Sequence, residues 1–393
     1  MTEYLSTKDS TKCYGCRACE KICPQKAISF RPDEEGFLYP VLSEALCVNC
    51  GLCKKVCPYD NTFSGVEPCS VYAIQHKKED ILLNSSSGGA FSLIADYVIE
   101  KGGAVCGCVF DEEFRAVHIV TEDETVIEKM RGSKYVQSDT ADAFTEIKSR
   151  LEKGQAVLFT GTPCQVDGLK RYLIKDYENL ITIDLICHGV PSPLLLREYI
   201  KTVEDKKGTI TDIKFRDKKS NGWRSEGTIT CEKGANNKKY VISPFRDSYY
   251  NLYYVRNNVS RMSCYCCKYA TQKRVGDFTI GDYWNIPDVV PELDYEKGVS
   301  VVLANNQKAQ DIIREIKDSV VIYETELVAA VRGNGNLSRP SEMPDSRKNI
   351  YKKILKNGFE KTAKEECKFS YVVPFIKRHT PKGIKKYLKK FIG

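Results

Sequence analysis

The chain has 393 residues, a net charge of +8 and 18 cysteines. That length calls for two or more units around a large core, and 42% hydrophobic with 28% charged residues is the composition of an ordinary globular protein. No apolar run approaches the ~20 residues of a membrane span, and the polar start MTEYLSTKDS has no apolar signal core, so a cytoplasmic location is expected and the cysteines point to metal or catalysis rather than to disulfides.

Four of them come first. Cys13, Cys16, Cys19 and Cys23 are spaced C-x2-C-x2-C-x3-C and precede Pro24. Cys47, Cys50, Cys53 and Cys57 repeat the spacing before Pro58. A tetrahedral zinc site usually takes two C-x-x-C pairs separated by a longer loop. Three thiolates at successive short gaps instead wrap one corner of a 4Fe-4S cubane, and the fourth, beside proline, ligates the other cluster. One cubane is therefore expected on Cys13, Cys16, Cys19 and Cys57, and a second on Cys47, Cys50, Cys53 and Cys23. Between the motifs, KAISF reads as a short strand and DEEGFLYPVL as a hairpin. Gly15 and Gly51 let backbone N–H groups approach the sulfurs.

The next unit opens with EPCSVYAIQHK, an alternating strand pattern. Then NSSSGGAFSLIADYVIEKGG runs from a Ser/Gly loop into a helix with Phe91, Ile94, Tyr97 and Val98 on its apolar side. The loop Ser87, Gly88, Gly89 is either an anion site at a helix N-terminus or a plain N-cap. GAVCGCVF reads as a buried strand, and the sequence around Gly132, Ser133, Lys134 and Tyr135 as a turn. Two strand–loop–helix units follow, QAVLFTGTPCQVDGLKRYLI and LITIDLICHGVPSPLLLREYI. Alternating strands and helices imply a largely parallel sheet, with ligands in the crevice beyond the strands' carboxyl ends. Cys164 and Cys187 fall at that edge. Taken singly each reads as a structural cysteine; together they read as convergent ligands. Cys264 and Cys267, a C-x-x-C pair with Cys266 as a spare, bring the set to four thiolates, suiting a third cubane or a zinc. GDFTIGDYWNI is a strand with two Gly-Asp turns, at which Asp277 and Asp282 polarise a ligand or cap the turns. His188, beside Cys187, reads as a packed turn histidine. No G-x-G-x-x-G after a strand and no Walker-type loop occurs, which disfavours a nicotinamide Rossmann domain and a P-loop ATPase.

The ordered motifs SSSGGAFS, RGSKYVQS, GTPCQVDGLK, DLICHGVPSP, FRDKKSNGW, SCYCCKY and DFTIGDYW make the chain resemble the coenzyme F420 hydrogenase/dehydrogenase beta-subunit family over roughly residues 68–340, fused to an N-terminal dicluster ferredoxin. The resemblance implies an FAD protein with a further 4Fe-4S cluster on Cys164, Cys187, Cys264 and Cys267. It also implies that Ser87, Gly88 and Gly89, with Gly132, Ser133, Lys134 and Tyr135, lie along the flavin.

The expected fold is thus α+β: a dicluster ferredoxin-like domain over residues 1–66, an α/β flavin-binding domain with a mixed, largely parallel sheet over 67–340, and a basic C-terminal tail over 341–393. The expected function is an iron–sulfur flavoprotein oxidoreductase. It would pass electrons between ferredoxin-type clusters and FAD, and on to a two-electron carrier such as a deazaflavin. The alternative is a non-catalytic electron-transfer or assembly subunit whose flavin-like domain serves for docking. The expected partner is a ferredoxin or a hydrogenase/dehydrogenase subunit. For the tail, whose GIKKYLKKFI has amphipathic spacing, the readings are a solvated face, a dock for an acidic partner, or weak adhesion to anionic lipid. No nucleic-acid motif accompanies the charge.

Overall fold

The two cysteine-rich loops take the same backbone path, which is why their spacing repeats. In the computed structural model, which describes residues 1–367, left-handed φ angles occur at Gly15 (74°) and Arg17 (63°) in the first loop. They recur at the equivalent Asn49 (53°) and Gly51 (79°) in the second. Arg17 and Gly51 each start a one-turn helix, Ala18–Lys21 and Leu52–Lys55. Between the loops, β1 (Ile28–Pro32) and β2 (Leu38–Leu42) form an antiparallel hairpin. Its turn is fixed by Asp33, whose carboxylate accepts the Glu35 and Phe37 N–H groups.

Among the described residues, the larger unit has eleven strands. In chain order they are β3 (Ser70–His76), β4 (Ala104–Phe110), β5 (Ala116–Thr121), β6 (Val157–Gly161), β7 (Leu180–Leu185), β8 (Thr209–Lys214), β9 (Gly227–Lys233), β10 (Asn236–Ile242), β11 (Phe278–Asp282), β12 (Ser300–Ala304) and β13 (Val320–Thr325). β8, β9 and β10 make a small antiparallel sheet; the others form one sheet in the order β13-β3-β12-β11-β7-β6-β4-β5. β4, β6, β7 and β11 are mutually parallel, and β12, β3, β13 and β5 join antiparallel. β3, β4, β6, β7 and β11 therefore end at the same edge. The fold is the α+β arrangement expected, a ferredoxin-type unit followed by a mixed sheet.

Alternation along the strands builds a core on each face. Leu158 of β6 faces a cluster with Leu93, Ile94 and Val98 of the helix Ala90–Glu100 and Ile312 and Ile313 of the helix Gln307–Ile316. Val157 and Phe159 face the opposite cluster, with Phe144, Ile147 and Leu169. In the basic C-terminal region, the helices Ile350–Asn357 and Phe359–Glu366 pack Ile350, Tyr351, Ile354 and Phe359 into a further cluster that includes Phe37 and Tyr39. The amphipathic stretch at residues 383–392 lies outside the described residues.

His118 of β5 illustrates the interior. Its ring stacks on Phe159 with centroids 5.5 Å apart, and Nε2 lies 3.1 Å from the Thr160 carbonyl oxygen. A carbonyl only accepts, so Nε2 carries the hydrogen. Burial pushes the imidazole pKa down to about 4. Between pH 6.5 and 4 the unfolded chain takes up a proton that the folded one refuses, so stability present above pH 6.5 is lost as pH falls. Urea denaturation at a series of pH values should show the wild type losing roughly 3 kcal/mol more than His118→Phe across that window.

Candidate functional site

Three quartets of cysteines emerge. Cys16 and Cys19 are buried and lie within electrostatic reach of Cys13 and Cys57, the fourth cysteine of the second motif; Cys164 also reaches Cys16, and Cys53 reaches Cys19. Cys23, Cys47, Cys50 and Cys53 together line a small surface hollow with Val48 and Asn49. Backbone N–H groups point at sulfur in both, from Gly15 to Cys13 Sγ and from Ala27 to Cys23 Sγ, each at 3.4 Å. All 18 cysteines are free thiols. Among the described residues, no three His, Cys, Asp or Glu side chains converge on the geometry of a single ion.

The third quartet sits at the carboxyl edge of the large sheet. Cys164 follows β6, at the start of the helix Pro163–Leu173, whose N-terminus is closed by a reciprocal Thr162–Gln165 capping box. Cys187 follows β7. Cys264 lies in the 3₁₀ turn Met262–Cys266, and Cys267 closes it. The Thr162 hydroxyl is 3.2 Å from Cys164 Sγ, and the Gly189 N–H donates to Cys187 Sγ at 3.4 Å. All four line one cavity and lie within electrostatic reach of one another. Burial pushes the Cys164 thiol up to about 12 and Cys267 up to about 11. A bound cation therefore has to supply the drive for deprotonation. Cys266 is exposed, outside the set.

The first and third quartets meet at Gly168, one helical turn beyond Cys164. A Cβ there would lie 2.8 Å from Cys16 Cβ and 2.9 Å from its Sγ. Only hydrogen lets the ferredoxin loop rest on this helix. Gly168→Val should push the loop away. Limited proteolysis should then release the N-terminal unit faster than from the wild type, and an unchanged cleavage rate would show that the loop tolerates the added bulk.

The cavity has a volume of about 310 Å³. The loop at residues 85–89, which follows the helix Glu79–Asn84, and the turn at residues 132–135 meet at one wall of it. Ser86 Oγ accepts the Ser133 N–H at 2.9 Å, and the two hydroxyls are 3.3 Å apart. The loop's serines are otherwise committed: Ser87 donates to the Val299 carbonyl at 2.6 Å and Ser85 to that of Ile81 at 2.8 Å. Gly88 cannot carry a side chain, since a Cβ would fall 2.0 Å from the Ile74 carbonyl oxygen. Gly89, at φ 89°, begins the helix Ala90–Glu100, and no side chain caps that end. Its first-turn N–H groups and dipole are left for an anion in the cavity.

Lys134 lines the cavity, but its ammonium is bound to the protein. Nζ donates to the carbonyls of Lys129 (2.7 Å), Met130, Arg131 and Gly132, closing the helix Glu124–Met130. Burial pushes its pKa down to about 8. Tyr135 packs, tilted or edge-on, into an aromatic group with Phe215, Tyr250 and Tyr253 behind the turn. Asp277 turns into the sheet and accepts the Thr182 N–H and hydroxyl at 2.7 Å. Asp282 stands at the cavity but pairs with Arg216 at 2.8 Å and accepts the Trp223 indole N–H at 2.8 Å. Trp223 stacks on Trp284, which lines the cavity. His188 is also on the wall. The Arg216–Trp223–Trp284 arrangement was missed in the sequence, although FRDKKSNGW and DFTIGDYW carry it.

Residues 154–330 match the model of the C terminus of the coenzyme F420 hydrogenase/dehydrogenase beta subunit. Residues 12–61 match the 4Fe-4S dicluster domain. The coenzyme F420-dependent sulfite reductase of Methanocaldococcus jannaschii is 29% identical over 206 residues, which are 49% of this chain and 30% of that protein. The chain thus spans less than a third of this curated relative. Among solved structures, a chain of the F420-reducing NiFe hydrogenase complex from Methanosarcina barkeri is similar, at 16% identity and a TM-score of 0.47, over 76% of this chain and 91% of that one. No helix among the described residues is long and apolar enough to cross a membrane.

Proposed function

We propose, from the match of residues 154–330 to the C-terminal model of the coenzyme F420 hydrogenase/dehydrogenase beta subunit and of residues 12–61 to the 4Fe-4S dicluster domain, that the chain is an iron–sulfur flavoprotein oxidoreductase. It links a one-electron donor of the ferredoxin type, or a hydrogenase or dehydrogenase subunit, to a two-electron carrier, for which the deazaflavin F420 is the leading candidate. The observation that carries this reading is the shared cavity. Four cysteines and an uncapped helix N-terminus line the same space, at the edge where five strands end.

The residues fit both groups. Twelve cysteines in three quartets give each 4Fe-4S cluster four thiolates, the donor set such clusters take. The uncapped first turn after Gly89 suits a diphosphate. The aromatic group behind Tyr135 and the Trp223–Trp284 stack give the cavity the apolar walls a ring system needs. When bound, clusters of this kind supply one-electron steps, and a flavin supplies conversion between one- and two-electron steps.

The chain's own part is positioning. Ser86 and Ser133 hold loop to turn, Gly88 brings the loop against β3, and Lys134 fixes the turn by closing the helix before it. The Gly189 N–H donates to the Cys187 sulfur, which lowers its electron density and tunes the potential, and the Thr162 hydroxyl stands 3.2 Å from the Cys164 sulfur. The decisive experiment is to purify the protein without oxygen, release its cofactors and count them. One FAD per chain, with re-oxidation of the reduced protein by F420, nicotinamide, quinone or ferredoxin, establishes the enzyme and its carrier. Brown protein with no flavin would overturn the reading in favour of a non-catalytic electron-transfer subunit.

A further inference from the structure

Arg261 is buried to 1% exposure, and among the described residues no carboxylate pairs with it. Its partners are neutral. Nε donates to the Cys13 carbonyl at 2.8 Å, and Nη1 to the Leu38 carbonyl and to Gln137 Oε1, both at 3.2 Å. The guanidinium lies 3.8 Å from the Tyr39 ring centroid, and Nη2 has no hydrogen-bond partner. Arginine does not shed its proton in proteins, and an isolated buried charge costs several kcal/mol. Asp33 lies within electrostatic reach of it but forms no ion pair with it, so further negative charge is called for close to the guanidinium. The first and third cysteine quartets flank it. Its side chain grips the backbone of Cys13, while its own carbonyl accepts the Cys264 N–H at 2.9 Å and its N–H donates to Val190 at 2.9 Å, three residues after Cys187. Gly15 makes the approach possible, since a Cβ there would lie 3.3 Å from the guanidinium carbon.

We propose that Arg261 is the electrostatic link between the quartet Cys13, Cys16, Cys19, Cys57 and the quartet Cys164, Cys187, Cys264, Cys267, its fixed charge favouring the reduced, more negative state of the cluster on each. The proposal rests on the three-cluster reading above. A single electron passed between clusters held by the two quartets would arrive without a proton, and a cation between them would offset the added negative charge at both ends. The quartet Cys23, Cys47, Cys50, Cys53 sits at the separate surface hollow and serves as an internal control.

The test is a redox titration of the full, anaerobically purified chain followed by electron paramagnetic resonance. Cys50→Ala identifies the outlying cluster by removing it. Arg261→Gln is expected to lower the midpoints of the other two by up to a tenfold loss of electron affinity, about 59 mV for one electron. Arg261→Lys, which keeps the charge, should restore them. Should Arg261→Gln fail to fold, Gln137→Glu sets a carboxylate against Nη1 at unchanged volume, and the same two midpoints should fall. Unmoved midpoints, an equal shift of the outlying cluster, or no recovery with lysine would overturn the link. Iron and sulfide missing from the wild type would instead sink the cluster reading itself.

Discussion

Cys164→Ser is expected to cut bound iron from about twelve to about eight per chain and, with a flavin bound as proposed, to bring its reduction from the ferredoxin side down to background. The resonance signals of the two N-terminal clusters should persist. Cys164 sits at the first turn of a helix whose capping box is made by Thr162 and Gln165, so the substitution leaves the helix intact. Serine also preserves the side chain's volume, so the loss reports ligation rather than packing. Full iron content and an unchanged rate would refute the assignment of this quartet. Metal analysis of the wild type adds a second check: about eight iron with one zinc would make the third site a structural staple.

Asp184→Ala should destabilise the protein by about 3–5 kcal/mol and strip the third site of metal in the same step. Asp184 is fully buried and accepts from Arg274 Nη2 at 2.5 Å, Thr279 Oγ1 and the Gly276 N–H at 2.8 Å, and the Val275 N–H at 3.1 Å. Removing it strands the guanidinium of Arg274, itself 2% exposed. That guanidinium also holds the carbonyls of Tyr269 and Thr271 at 3.0 and 3.1 Å, just beyond Cys267, while Asp184 stands three residues before Cys187. One buried pair thus sets two of the ligand loops. Urea titration with iron analysis measures both effects. The double variant Asp184→Leu/Arg274→Met should cost less than Asp184→Ala alone, because no unpaired charge remains. A double variant as unstable as the single would show that shape, not charge, governs the site.

What could be read from the sequence depended on how local the determinant is. Cys-x2-Cys spacing and a Ser/Gly loop before a helix are constraints within a dozen residues; Cys164, Cys187, Cys264 and Cys267 line one cavity, and Cys23, Cys47, Cys50 and Cys53 line one hollow. The parallel centre of the sheet follows from alternating strand and helix patterns. The antiparallel joining of β12, β3 and β13 does not, because it is fixed by how distant segments return to one edge. Lys134 shows a subtler limit. Its place on the cavity wall was legible, but its ammonium answers to the carbonyls at the end of a neighbouring helix. Gly168, Gln137 and Arg261 were invisible: each is an ordinary residue whose role arises from a loop far away in sequence, Cys13 being 248 residues from Arg261.

The ferredoxin unit is bolted to the rest of the chain. Arg347, 1% exposed, grips Glu35 in a two-pronged pair, with Nη1 to Oε1 at 2.9 Å. Gly36 leaves no room for a Cβ against Leu194, Lys21 meets Asp142 at 2.6 Å, and Arg171 reaches the Thr62 carbonyl at 2.7 Å. Such a module cannot act as a swinging arm that ferries charge between distant docking stations. With clusters bound as proposed, the distance between the first and third would be set by these contacts rather than by a hinge.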